Sequence, residues 1–340
     1  SFILLPMDET TQQNHLKAYG ITYWALDKSY KVSWLLNYRG GSFLLPDAPE
    51  IRKECQIRGV TFEILSDAST NSILDEISAP SQNMETVVLE KAPKIAVYTP
   101  KGKQPWDDAV TMVLTYAEIP YTEIYDEEVL SDQLLLYDWL HLHHEDFTGQ
   151  YGKFFGNYRN TPWYIQQKAD SEALAKKLGY NKVSEEKLAV AKKIRDFVIG
   201  GGFMFAMCSA TDSFDIALSA EGVDICEPMF DGDDSDANYQ AQIDYSNTFA
   251  FKDYKLERQP MVYEFSDIDT TEEHGKGSFS MDKDYFTLME YSAKWDPIPT
   301  MLCQNHTQLV KGFMGQTTAF SAEKIKSNVF VMGECKINGE

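Results

Sequence analysis

The run Ile194-Arg195-Asp196-Phe197-Val198-Ile199-Gly200-Gly201-Gly202-Phe203-Met204-Phe205-Ala206-Met207-Cys208-Ser209-Ala210-Thr211 decides the fold. It reads as the end of a helix, a glycine stop, a short apolar strand and a sharp turn carrying a cysteine. Val190, Ile194, Phe197 and Val198 recur at helical spacing and make one apolar face. Ser184 is placed to cap that helix, and Glu185 and Glu186 suit the positive end of its dipole. The three glycines supply backbone that ends a helix. Residues 203–207 are apolar without alternation, as in a strand covered on both faces. Cys208 falls where that strand ends. Ala206 and Ala210 flank it two residues away, and a tight strand-to-helix turn needs small residues there.

A thiol on such a turn projects from the sheet edge. The helix N-terminus behind it offers partial positive charge and free N–H groups, which lower a thiol pKa and form an oxyanion site. The competing reading is an inert core cysteine, since free cysteine is commonly buried. A nucleophile also needs a base, and the chain offers His15, His141, His143, His144, His274 and His306. His306 is the candidate taken with Cys208, with Gln308 as its orienter. A neutral glutamine cannot stabilise an imidazolium as a carboxylate does, so a surface-loop histidine stands as the alternative. In the run His141-Leu142-His143-His144-Glu145-Asp146, alternation puts His141 and His143 on one strand face and His144 opposite. No H-E-x-x-H helix accompanies them. His143, His144 and Glu145 are read as ligand-binding lining of a cleft, and no metal or other cofactor is expected. The run 231–236 (DGDDSD) reads as a solvated acidic turn, because the terminal glutamate of a calcium loop is missing. Gly200-Gly201-Gly202 is not followed by a phosphate-loop pattern.

With 340 residues the chain has room for two ordinary domains or one large one. Its net charge of −21 opposes contact with nucleic acid or anionic membrane, so neither is expected as a partner. Five scattered cysteines, with no C-x-x-C, exclude a zinc ribbon or a thioredoxin motif. No apolar run reaches the length of a membrane helix. Ser1 opens directly on a strand-like run, consistent with a leader already removed.

Strands and helices alternate from the start, which argues a layered α/β architecture. Strands are expected at 2–6, 32–36, 60–65, 94–98, 121–125 and 134–142, with helices at 13–26, 49–58, 106–116 and 212–220. The prolines and polar residues of 78–94 mark a seam, dividing an N-terminal α/β segment (1–90) from the remainder (91–340). Element order recurs on both sides of the seam. In open α/β sheets ligands bind outside the carboxyl ends of strands, so Asp8 and Glu9, the histidine cluster and Cys208 are expected on one rim. Beyond residue 222 the strand-like stretches 248–256, 261–265, 285–291, 300–303, 309–313 and 329–332 read as antiparallel additions.

These residues resemble a known family. The turn at Cys208, the opening 94–98, Pro105-Trp106-Asp107-Asp108 and Ile119-Pro120-Tyr121 are similar to class I glutamine-amidotransferase-like domains of the biotin-ligase-N-terminal-like and trehalose-utilisation-like branches. The segments 137–152, 305–307 and 311–318 resemble, more closely, exported Gram-negative bacterial proteins often labelled "asparagine synthetase B". The resemblance implies a flavodoxin-like, mostly parallel sheet flanked by helices, in the periplasm or at the cell surface. It does not imply asparagine synthesis or ATP use, because no S-G-G-x-D-S loop is present. Two departures matter. Ala210 replaces the glycine that follows the family's cysteine by two, and no histidine–glutamate pair follows 329–332. The chain is therefore expected to lack the domain's last strands. The expected function is a non-catalytic or weakly active binding or assembly module of the bacterial envelope, with an envelope protein as partner. The alternative is a cysteine-dependent amide hydrolase or amidotransferase with Cys208 as nucleophile.

Overall fold

A computed structural model gives the structure of the chain and describes residues 1–101, 109–270, 285–288, 292–295, 309–311 and 320–335. The first sheet draws on β1 (Phe2–Leu5), α1 (His15–Asp27), β2 (Val32–Leu36), β3 (Ser42–Pro46), α2 (Pro49–Arg58), β4 (Glu63–Leu65), α3 (Asp67–Ser78) and β5 (Glu85–Leu89). Its order is β4-β1-β3-β2-β5 and every pairing is antiparallel. Alternation along the strands sorts the side chains into two layers. Ile3, Leu5, Phe43 and Leu45 face α1 and α2, whereas Leu4, Leu35 and Leu44 face α3. Local chemistry sets the helix ends: the Asn14 side chain accepts the Lys17 N–H, Ser66 accepts the Ser69 N–H, and Pro49 opens α2.

The second sheet draws on β6 (Ile95–Tyr98), α4 (Ala109–Ala117), β7 (Thr122–Ile124), α5 (Asp126–Leu130), β8 (Trp139–Leu142), α6 (Phe155–Tyr158), α7 (Pro162–Lys177), α8 (Val183–Ile199), β9 (Phe203–Ala206) and α9 (Ala210–Ser219). The strands lie in the order β7-β6-β8-β9, all parallel. Ala96, Tyr98, Leu140 and Leu142 pack against α8 and α9, while Ile95 and Val97 face α4. The chain is thus α/β, with a parallel four-stranded sheet between helices. Further on come α10 (Pro228–Asp231), α11 (Tyr239–Gln242) and an antiparallel trio, β10 (Tyr285–Leu288), β11 (Leu309–Lys311) and β12 (Gly333–Cys335), ordered β11-β10-β12.

Helices α1 and α4 join the two larger sheets. Gly20 makes the approach close: a Cβ there would sit 1.8 Å from the Ala117 carbonyl oxygen. The Asn14 amide donates to the Tyr116 hydroxyl at 2.6 Å and the Tyr23 hydroxyl to the Pro93 carbonyl at 2.7 Å.

Several expectations are corrected. β9 is not covered on both faces; it lies at the sheet edge, with Phe203 39% and Phe205 44% exposed. Recurrence of element order does not extend to pairing, since one large sheet is antiparallel and the other parallel. Residues 133–136 form a 3-10 turn instead of the start of a strand. Residues 248–256 and 261–265 form no ladder and contribute only the isolated bridges Phe251–Ile325 and Leu256–Ser266. The last strand among the described residues falls at Gly333–Cys335, past 329–332. Elements that carried no expectation include β3, α3, α5, α6, α10 and α11. The expectations at 102–108, 300–303 and 312–318 lie outside the described residues, as do His274 and His306.

Candidate functional site

The carboxyl ends of β8 and β9 bring the histidine segment and the cysteine turn together. Met207 N–H donates to the Leu142 carbonyl at 3.0 Å, extending the ladder one residue past β9. The chain then turns at Cys208, whose φ is +51°. That left-handed conformation is uncommon for a residue with a Cβ and stores strain on the order of 1–3 kcal/mol. Thr211 secures the turn, donating from its N–H (3.1 Å) and its hydroxyl (2.6 Å) to the Cys208 carbonyl.

Two serines one helical turn apart, Ser209 at the N-cap of α9 and Ser213 within it, hold the neighbouring segment. The Ser209 hydroxyl donates to the His144 carbonyl at 2.8 Å, and the Ser213 hydroxyl to the Glu145 carbonyl at 2.9 Å. The Glu145 carboxylate accepts the His143 N–H at 2.7 Å. Beyond it, Asp146 accepts the N–H groups of Thr148, Gln150 and Gly152 and fixes the loop into α6. Cys208, His143, His144 and Glu145 are therefore adjacent. The face assignment of the histidines changes, because β8 stops at Leu142 and alternation ends with it. The His143 and His144 rings lie 3.5 Å apart instead of on opposite faces. Asp8 stands elsewhere: it pairs with Arg39 at 3.1 Å in the antiparallel sheet and does not share the rim.

The Cys208 side chain is exposed, yet the protein packed around its sulfur pushes the thiol up. The backbone and side chain of Ser209 oppose that rise, while Asp212 and Glu145 add to it. Asp212 is itself buried, 4% exposed, one turn into α9. Burial first, then Asp269 and Glu264, hold its carboxyl well above the usual range. Tyr263 packs on Phe154 (ring centroids 5.6 Å apart) and senses the charge of Cys208, which places its ring near the turn.

A second polar group sits at the ends of β6 and β7. The buried Lys187 ammonium donates to Asp126 Oδ2 (2.7 Å) and to the hydroxyls of Tyr98 and Tyr125 (3.0 Å each). The Tyr98 hydroxyl donates to the other Asp126 oxygen. Burial pushes the adjoining Glu186 carboxyl up to about 8, with Asp126 adding to the rise. The sequence held a signal for this group. Glu186 and Lys187 lie four and three residues before Val190, on the stripe read as apolar, and charged residues there must be paired.

Two clefts open at this rim. One of about 50 Å³ is lined by Tyr125, His144, Glu145, Tyr151 and Lys187, among others. The other, of about 510 Å³, extends along α7. The acidic turn also differs from its reading as solvated: Asp224, Asp231 and Asp233 converge on the Lys182 ammonium, at 2.5, 3.2 and 2.6 Å. Ligand atoms of Asp224, Cys226 and Asp231 lie within 4.8 Å of one another, with Lys182 as the cation beside them.

Among the described residues no helix is long and apolar enough to cross a membrane. No protein-family model matches the chain, and neither a curated protein nor a solved structure matches it.

Proposed function

We propose that the protein is a cysteine-dependent acyl-transfer enzyme of the amide-hydrolase class, with Cys208 as nucleophile. The observation that carries this reading is the +51° φ at an exposed cysteine between a parallel strand and a helix. A strained non-glycine residue persists where its surroundings over-determine it, and such residues cluster at functional sites. The resemblance to class I glutamine-amidotransferase-like domains, and the envelope location it implies, belong to the same proposal.

The chemistry follows from the turn. The Cys208 sulfur attacks an amide carbonyl carbon, the C–S bond forms, and negative charge develops on the carbonyl oxygen. The C–N bond then breaks, and the thiol proton leaves with the amine. Water attacks the thioester, the C–O bond forms, the C–S bond breaks, and the thiol is restored as the acid is released. The carbonyls of His143 and His144 are tied to the turn, and the proposal assigns the proton transfer to one of their imidazoles.

A second reading keeps the fold as a non-catalytic binding module. It is favoured by the thiol's upward shift and by the carboxylates of Asp212 and Glu145, which add to it. Turnover of p-nitrophenyl acetate separates the two. The enzyme reading expects p-nitrophenolate release that falls by roughly a hundredfold or more in Cys208→Ala. Equal release by both proteins overturns it and leaves the binding module.

A further inference from the structure

The smaller cleft ends at His144 and Glu145, whose backbone is tied to the Cys208 turn. It shares Pro100, Tyr125, Gln167 and Ser171 with the larger one, so the two form one groove, which reaches the His144–Glu145 segment beside the Cys208 turn without being lined by Cys208 itself. The far wall is a single face of α7. Trp163, Gln166 or Gln167, Asp170 or Ser171, Leu174 and Lys177 recur at spacings of three or four and line it from end to end. At the helical rise, the distance from Trp163 to Lys177 is about 21 Å. A compact metabolite does not span that length, whereas an extended polypeptide of about six residues does.

The polar groups along the groove fit such a chain. Lys101 pairs with Glu128 at 2.6 Å and Lys177 pairs with Glu127, so these rim charges satisfy one another, and the Asp170 carboxylate accepts the Gln166 amide. Gln167 offers an amide group, which can both donate and accept, while the Gln166 amide donates to Asp170 at 2.8 Å. Tyr125, at the junction of the two clefts, is held from behind. Its hydroxyl accepts a hydrogen bond from the buried Lys187, and its own proton has no acceptor among the described residues. Orientation by a cation makes that phenol a stronger donor toward the groove. A peptide carbonyl is an acceptor that such a donor would hold.

We propose that the α7 groove binds an extended, uncharged stretch of polypeptide, with a backbone carbonyl on the Tyr125 hydroxyl, and delivers a peptide amide to Cys208. This rests on Cys208 being the nucleophile and makes its substrate peptide-like instead of a small amide such as a free amino-acid carboxamide.

The test uses two series of alkylating probes of increasing length: alanyl peptides ending in a chloromethyl ketone, and peptides bearing an N-terminal bromoacetyl group. They place the chain on the acyl and the amine side of the electrophile. Each rate of Cys208 alkylation is divided by the rate with iodoacetamide. The proposal expects one series to gain roughly tenfold or more between one residue and about six, the scale of an added hydrogen bond or buried side chain. It also expects Tyr125→Phe to lower the ratio for the long probes, and Ser171→Trp, which fills the groove from the helix face, to end the gain at short length. Rates independent of length in both series overturn the peptide groove and leave the nucleophile standing if iodoacetamide still labels Cys208. Failure of every probe to label Cys208 removes the nucleophile, and the groove's role with it. Should Tyr125→Phe fold poorly, the Ser171→Trp series decides: an undiminished gain with a filled groove also overturns the proposal.

Discussion

The Ser209 hydroxyl donates to the His144 carbonyl at 2.8 Å, so one side chain couples the cysteine turn to the histidine segment. The same residue holds the Cys208 thiol pKa down against the effect of burial. Ser209→Ala is expected to raise the thiol pKa further and to cost about 1 kcal/mol of stability, the usual worth of such a bond. The rate of iodoacetamide labelling against pH reads the first effect, and urea denaturation reads the second.

Cys208→Gly relieves the left-handed backbone that Cys208→Ala retains. Against glycine's loss of chain entropy, the glycine variant is expected to be about 1 kcal/mol more stable than the alanine variant. Equal melting temperatures for the two would argue that the turn is unstrained.

Gly20 sits where a Cβ would lie 1.8 Å from the Ala117 carbonyl oxygen. Backbone has to move to admit it, so Gly20→Ala is expected to cost at least about 2 kcal/mol, in the range of overpacked sites. Surface contact alone would leave the denaturation midpoint within error.

Glu186 gives the protein a pH-dependent stability. Burial holds its folded carboxyl near 8, above the ordinary value of 4.5. The native state keeps a proton that the unfolded chain releases, so its contribution is complete below about pH 4.5 and is lost as pH rises toward about 8. Glu186→Gln is expected to flatten the fall in stability over that window. A wild-type curve that rises through it would contradict the assignment.

Lys187 and Asp126 form a buried pair whose members depend on each other. Lys187→Met strands the Asp126 carboxylate and is expected to cost about 3–5 kcal/mol. A loss below about 1 kcal/mol would show the carboxyl to be neutral or solvated.

Much of the parallel half was legible because its signals are local. The apolar stripe of α8, the glycines after it and the small residues flanking Cys208 are set by neighbours in the chain. The strands at residues 95–98 and 203–206 follow from short apolar runs. What was missed depends on long-range pairing. Whether β9 is central or an edge is decided by which strand lies beside it, and its composition carries no trace of that. The antiparallel pairing of the first sheet is likewise a property of connections. Residues 248–265 are rich in aromatics yet form no ladder, because their side chains serve as cover, as Tyr254 and Phe265 do beneath α9. At the site, the strand-end rule already puts Cys208 and the histidine cluster on one rim, and the β8–β9 pairing makes them neighbours, whereas Asp8 lies elsewhere. The Lys187 group was hidden by reading the stripe for its apolar members alone.

The most direct test of Cys208 as nucleophile is the mass of the intact protein during reaction with p-nitrophenyl acetate, with the site located by peptide mapping. The account predicts a transient gain of one acetyl group on Cys208, lost again on hydrolysis and absent from Cys208→Ala. No adduct at Cys208, or one that forms there and never turns over, would contradict it.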